Sequence, residues 1–143
     1  MRALFALVLL CPLSACVNTT AVMLDVTAQR APICPDAVKI YPDTAAIGMP
    51  FQRVAMLASS GSSGFTTPTG MMNSQRQRAA SLGANGVVLG RINEASAGAK
   101  VAAAFLGTGT ERTGDAMAVY VPGDSARTRE LCDGTKNRRD AAP

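Results

Sequence analysis

Histidine and tryptophan are both missing from this 143-residue chain, and aromatic residues make up only 4% of it. Without histidine, neither a Ser-His-Asp nor a Cys-His catalytic site can form, and a histidine-ligated metal site is excluded as well. The shortage of aromatic rings argues against a surface on which sugars or bases stack. We therefore predict a protein that is not an enzyme, with no catalytic residue, no metal site and no cofactor.

Strong charge is also lacking. The formal net charge is +4, spread along the chain except for a basic end at Lys136, Arg138 and Arg139. This charge is too weak and too dispersed for a nucleic-acid-binding surface. We predict a disordered basic tail over residues 133–143 and no nucleic-acid partner.

No apolar run is long enough to cross a membrane, which takes about 20 residues. The longest one near the N-terminus, residues 3–10, follows Arg2 and precedes Leu13-Ser14-Ala15-Cys16. This order is typical of a secretory signal with a lipobox, in which the cysteine thiol receives the lipid. We predict a signal peptide over residues 1–15 and acyl chains, palmitate among them, on Cys16. An ordinary signal peptide or a single membrane anchor is the alternative.

Val17 follows the predicted lipidation site, where an aspartate would signal retention in the inner membrane. Lipoprotein sorting rules therefore place the protein in the outer membrane of a Gram-negative cell, with its domain facing the periplasm. Three acyl chains exceed the two signals that stable anchoring needs. The expected membrane attachment is permanent.

Only four cysteines are present, and Cys11 is lost with the predicted signal while Cys16 is lipidated. The two that remain, Cys34 and Cys132, would meet an oxidising compartment, where an even pair indicates a disulfide. Two free thiols or a redox-active pair are the alternatives, although the chain contains no CxxC.

The remaining chain has the pattern of one α+β domain over residues 34–132, after a lipidated N-terminus and tether at residues 16–33. The tether includes a possible short strand. We predict a small sheet of about four strands with one main helix packed on one face. The Ala-rich segment ASAGAKVAAAFL is either a second short helix or one arm of a hairpin. Two further segments, SSGSSGFTTPTG and GTGTERTG, are predicted to be a flexible connection and a turn.

The main helix is predicted within residues 73–92, NSQRQRAASLGANGVVLGRI. Ser74 with Gln77 fits a capping box, and Thr69 is an earlier candidate cap. An apolar stripe of Met72, Ala79 and Leu82 would face the sheet. Gly83 would end the helix in the left-handed conformation, and the following Asn-Gly turn would lead into a buried strand.

Three segments together resemble a group of small bacterial lipoproteins: IGMPFQRVAML at residues 47–57, QRQRAASLGANGVVL at 75–89 and GDAMAVY at 114–120. The pattern is a strand, a helix ending in A-x-x-L-G-A-N-x-V-V and a final strand. The group includes the outer-membrane stress-sensor lipoprotein of the Rcs phosphorelay and the YbjQ-like domains. The resemblance implies an α+β sandwich with one helix layer on a small sheet. The Rcs sensor has two disulfides, whereas this chain has cysteines for one.

We therefore expect a non-enzymatic outer-membrane lipoprotein that contacts another envelope protein in stress sensing or assembly. Arg76 and Arg78 on the main helix, with the loop at residues 59–70, are the predicted contact surface. The alternative is a structural envelope protein that forms homo-oligomers through the edge of the strand at residues 116–121. A carrier of a small ligand or metal is a third class.

Overall fold

A mixed five-stranded sheet forms the centre of the fold in the computed structural model, which describes residues 17–27, 29–62, 66–106 and 109–140. The strands lie in the order β1-β3-β5-β4-β2, and all neighbours are antiparallel except β2 and β4. Their bounds are β1 Asn18–Met23, β2 Lys39–Tyr41, β3 Gln52–Ser62, β4 Gly86–Asn93 and β5 Glu111–Tyr120.

Three α-helices accompany the sheet: α1 Pro68–Ser81, α2 Ala97–Leu106 and α3 Ser125–Asp140. Short 3₁₀ turns occur at Pro35–Ala37, Ala45–Ile47 and Pro122–Asp124. The predicted α+β class is confirmed, with one strand more than the four expected. The Ala-rich segment is the helix α2. Within the described ranges, no helix combines the length and the apolar character needed to cross a bilayer.

The helix α1 begins earlier than the sequence predicted. Its N-cap is Thr67, whose Oγ1 accepts a hydrogen bond from the backbone N–H of Gly70 at 3.0 Å, and Pro68 takes the first helical position. Proline suits that position because its fixed φ is already helical and its missing N–H has no partner there. Ser74, the predicted cap, lies inside the helix, with its Oγ 2.6 Å from Oγ1 of Thr19.

The end of α1 is as predicted. Gly83 has φ of 70°, and its N–H donates to the carbonyl of Ala80, while the N–H of Ala84 donates to that of Ala79. This pair of bonds is a Schellman motif, which needs a left-handed residue at the glycine position. The chain then enters β4 at Gly86.

One face of the sheet packs against α1. Of the predicted stripe, Ala79 is buried and Leu82 packs against the core, but Met71 and Gln75 are buried where Met72 was expected. Gln75 is buried under the helix. Its Nε2 donates to the carbonyl of Gly114 at 3.3 Å, and this bond replaces a hydrogen bond that the side chain would otherwise make with water. The small side chains Ala79 and Ala80 bring the helix close to an aliphatic core that includes Val38, Val54, Leu57, Val87, Ala116 and Ala118.

The other face of the sheet is covered only in part. A second core of Tyr41, Ile47, Val88, Val119 and Val121, with Phe51 and Met117 against it, lies near the β2 side. Ile47 comes from a 3₁₀ turn between β2 and β3, so this connection closes that region. Towards β1 the same face carries exposed Val22 and Met56.

Both ends of the domain differ from the sequence prediction. The predicted short strand is present, but it begins at Asn18, so the expected tether is already part of the sheet. At the other end α3 continues through Asp140, where a disordered tail was predicted from residue 133. A buried Thr135, whose Oγ1 donates to the carbonyl of Leu131, shows that this stretch of helix packs against the domain. Residues 141–143 lie outside the described part of the chain.

The strand β5 is longer than expected. The predicted turn GTGTERTG becomes strand from Glu111 onward, in register with the end of β3. Gly114 is buried under α1 rather than placed in a turn. A Cβ on it would lie 3.2 Å from Cε of Met71, which means that the glycine makes room for the helix.

Candidate functional site

A disulfide joins the two cysteines that the sequence predicts to pair. Cys34 directly precedes the 3₁₀ turn Pro35–Ala37, and Cys132 lies in the middle of α3. Their Cα atoms are 5.4 Å apart, within the usual range for this bond. The bond fixes α3 to the segment that leads into β2. Cys16, the predicted lipidation site, lies outside the described residues.

The first turn of α3 is held by a second set of contacts. Arg127 donates two hydrogen bonds to the carboxylate of Asp124, at 2.9 and 2.6 Å, and a third to the carbonyl of Ala37 at 3.2 Å. The hydrogen bond from Arg127 is the largest cause that lowers the pKa of Asp124. This pair ties the helix to the same segment as the disulfide, so its role is structural.

The two arginines predicted as a contact surface lie on different sides of α1. Residues two apart on an α-helix point to different sides of it, about 200° around the axis. Arg76 is half-buried and donates to the carbonyl of Pro35 at 3.2 Å, whereas Arg78 is exposed. The loop predicted at residues 59–70 is shorter than expected, because residues 59–62 belong to β3 and residues 68–70 to α1.

Alanine substitutions separate these two arginines. Arg76→Ala is expected to lower the free energy of unfolding by about 1 kcal/mol, the usual net contribution of a protein hydrogen bond. Arg78→Ala, on the exposed side of the same helix, is expected to change it by less than about 0.5 kcal/mol. Urea unfolding of the two variants and the parent measures both. Equal effects would show that the contact with Pro35 adds nothing to stability.

The strand proposed for self-association is not available for it. β5 lies between β3 and β4 and is hydrogen-bonded to both, so the edge predicted at residues 116–121 does not exist. The edges of the sheet are β1 and the three-residue β2. Pairing between copies through β5 would require the sheet to open.

A shallow cleft of about 440 Å³ lies beside the first turns of α3. Asn85 forms part of its floor, and its side-chain amide exchanges two hydrogen bonds with the backbone of Val121, at 2.9 and 2.7 Å. The guanidinium of Arg30 lies over the ring of Tyr120, 4.9 Å from its centre. Arg129 approaches from α3. The two guanidinium groups give the cleft a positive rim, but it contains no nucleophile with an adjacent base.

Sequence analysis also missed an uncovered part of the sheet. Val22, Met56 and Met117 are direct register partners on β1, β3 and β5, and therefore share one face. Their chain neighbours Ala21, Leu57 and Ala116 pack in the core below α1, so the three point away from that helix. Val22 is 68% exposed and Met56 44%, while Met117 is half-buried against the edge of the second core. We call Val22, Met56 and Met117 the open row.

Towards one end of the sheet the same face becomes polar: Thr20 and Asp115 flank Ala58 in the next row, and Ser60 and Thr113 follow. An apolar area bordered by polar residues is a usual feature of a protein contact surface. The strand alternation in residues 19–22 and 55–58 was the available signal. It could not be used without the strand order, which determines that the three residues are neighbours.

No metal-binding arrangement occurs in the described ranges, where no three Cys, Asp or Glu side chains converge. The carboxylate of Glu94 instead accepts from Arg112 at 2.7 Å and Lys100 at 3.4 Å. These contacts lower the pKa of Glu94, the hydrogen bond from Lys100 most of all. The carboxylate is thus an ion-pair partner for two cations.

Comparison with known proteins finds a likeness of fold. No protein-family model matches the chain, and no curated protein is similar to it in sequence. Among solved structures, the Francisella virulence factor FvfA is similar, with a TM-score of 0.50 and 11% sequence identity. The match covers 71% of this chain and 96% of FvfA. At this identity the likeness concerns the fold alone.

Proposed function

We propose that this chain is a non-enzymatic lipoprotein of the bacterial outer membrane, whose periplasmic domain contacts another envelope protein in stress sensing or assembly. The lipobox ending at Cys16 supports the membrane anchor. The Cys34–Cys132 disulfide supports an oxidising compartment. The resemblance to the Rcs stress sensor and the YbjQ-like domains supports the same location.

The open row is the observation that supports the proposed contact with another protein. Single exposed apolar side chains are common on soluble proteins and need no explanation. Here Val22 and Met56 are aligned with Met117 across three adjacent strands, while the other half of the same sheet face is covered by its own chain. Methionine side chains are flexible and adapt to a partner's shape. We therefore place the partner on the open row rather than on Arg76 and Arg78.

Site-specific photo-crosslinking in cells tests this placement. A benzophenone amino acid replaces Met56 in the full lipoprotein, and a matched variant carries it at Arg78, which is exposed on the helix that covers the opposite face. We expect one reproducible foreign envelope protein to be captured from position 56 and not from position 78. Capture from position 78 alone would contradict this placement and support the contact surface predicted on α1.

Self-association is the second outcome that the same experiment distinguishes. If position 56 captures only other copies of this chain, the structural alternative is supported and the hetero-contact is wrong. Because β5 is internal, such an oligomer would form through the open row or β1 rather than through the edge first predicted. No adduct from either position would overturn the contact proposal on both surfaces.

A further inference from the structure

One end of the sheet brings together residues of four strands that are far apart in the sequence. Asn18 pairs with Ser60, Ser60 with Thr113, and Thr113 with Asn93, so these four residues form one row across β1, β3, β5 and β4. At this row β1 begins, β3 is two residues from its end, β5 has just begun and β4 ends. We call it the Asn18 end of the sheet.

The predicted lipid attachment site is next to this end. Cys16 precedes Asn18 by two residues, and two residues of extended chain span at most about 7 Å. Acyl chains on Cys16, on which this inference rests together with the proposed function, would therefore enter the bilayer beside the Asn18 end. The sheet begins too close to the anchor for the domain to move away from the membrane.

The helix α2 leaves the sheet and returns to it at the same end. It lies between Asn93, the last residue of β4, and Glu111, the first of β5. None of its residues is buried. Phe105 is 87% exposed, Leu106 77% and Val101 57%, and its one charged residue is Lys100. A helix with exposed Val101, Phe105 and Leu106 therefore lies at the end of the domain that faces the predicted anchor.

Ion pairs hold the start of this helix to the sheet. Buried Arg112 of β5 donates to the carbonyl of Thr66 and to the carboxylate of Glu94, which also accepts from Lys100 in the first turns of α2. Where α2 joins the sheet, the negative charges of Glu94 and Glu111 balance the positive charges of Lys100 and Arg112. Attraction of α2 to a membrane would thus come from its apolar side chains and not from net charge.

We propose that α2 lies in the boundary between head groups and acyl chains of the membrane that holds the Cys16 anchor, with Phe105, Leu106 and Val101 among the lipids. Its ten residues are too few to span a bilayer, but a short apolar helix can lie in this boundary. The lipid is favoured over a protein partner because the anchor brings a bilayer within reach of this end in every orientation of the domain. The helix would then determine the orientation of the open row relative to the membrane.

The absence of tryptophan provides a clean probe. We would replace Phe105 by tryptophan in the full lipidated protein and reconstitute it into phosphatidylcholine vesicles, with or without bromine atoms on the acyl chains near the head group. The matched control is Val26→Trp, because Val26 is 77% exposed and follows the far end of β1. Mass spectrometry of the N-terminal peptide establishes lipidation of Cys16 independently.

For Phe105→Trp we expect emission at shorter wavelength and loss of most intensity in brominated vesicles, whereas Val26→Trp keeps the emission of a water-exposed indole in both. If Cys16 carries lipid and the two variants behave alike, the inference is wrong and the proposed anchor stands. A blue shift without bromine quenching would place α2 against protein and also overturn it. An unmodified Cys16 refutes the proposed anchor instead, and with it the premise of this inference.

Discussion

Removal of the Cys34–Cys132 disulfide is expected to lower the free energy of unfolding by about 4 to 5 kcal/mol, because a loop of this size strongly restricts the unfolded chain. The two cysteines are 98 residues apart, so the bond closes most of the domain into one loop. Domains of this size have total stabilities of about 5 to 15 kcal/mol. The bond therefore contributes a large share, and together with the contacts of Arg127 it holds α3 in position.

The measurement is urea unfolding of the parent protein and of a Cys34→Ala/Cys132→Ala variant, each with and without reductant. The parent should lose stability when reduced, to about the level of the variant, which itself should not respond to reductant. A reductant effect on the variant would point to a cause other than this bond. A parent that loses less than about 1 kcal/mol would contradict the loop argument.

The second large effect is expected at Gly83, where α1 ends. Its φ of 70° disfavours any residue with a Cβ by about 1 to 2 kcal/mol. An added Cβ would also lie 2.4 Å from Cβ of Arg30 and 2.7 Å from the carbonyl oxygen of Ala31. Because the second neighbour is backbone, the segment before Cys34 must move. We expect Gly83→Ala to cost more than about 2 kcal/mol in total.

Gly48 is the matched control for that substitution. Its φ is 64°, almost the same, but no atom lies within 4 Å of an added Cβ. Gly48→Ala should therefore show only the conformational cost, about 1 to 2 kcal/mol. Urea unfolding of both variants gives the difference that crowding by Arg30 and Ala31 contributes. Equal losses would mean that the segment at residues 30–31 adjusts freely.

The sequence predicted this fold best where a local signal is sufficient. Gly83 and the following Asn-Gly pair placed the end of α1 and the start of β4 correctly, since a left-handed residue is a local requirement. The start of α1 was wrong because several hydroxyl residues in the segment satisfy the same capping pattern. The start of β5 was wrong because Gly114 resembles a turn residue, while its actual reason is the room it leaves for Met71.

The candidate surfaces were harder to predict from the sequence than the fold. The pairing of Cys34 with Cys132 followed from the expected compartment, but the position of α3 did not. The contact surface predicted at Arg76 and Arg78 grouped residues by sequence distance, whereas the structure places them on different sides of α1 and Arg76 donates to the carbonyl of Pro35. The open row joins residues from three strands that are separated by more than 30 positions, so only the strand order brings them together.

The central place of β5 determines when the sheet can be completed. β1 pairs with β3, and β2 with β4, but only β5 connects these two pairs into one sheet. It is the last strand in the sequence, so until residues 111–120 are available the two pairs share no strand, and α1, which contacts β1, β3 and β4, is the helix that lies against both. Two-stranded fragments are marginally stable in water. The complete sheet therefore cannot form before the last strand is available.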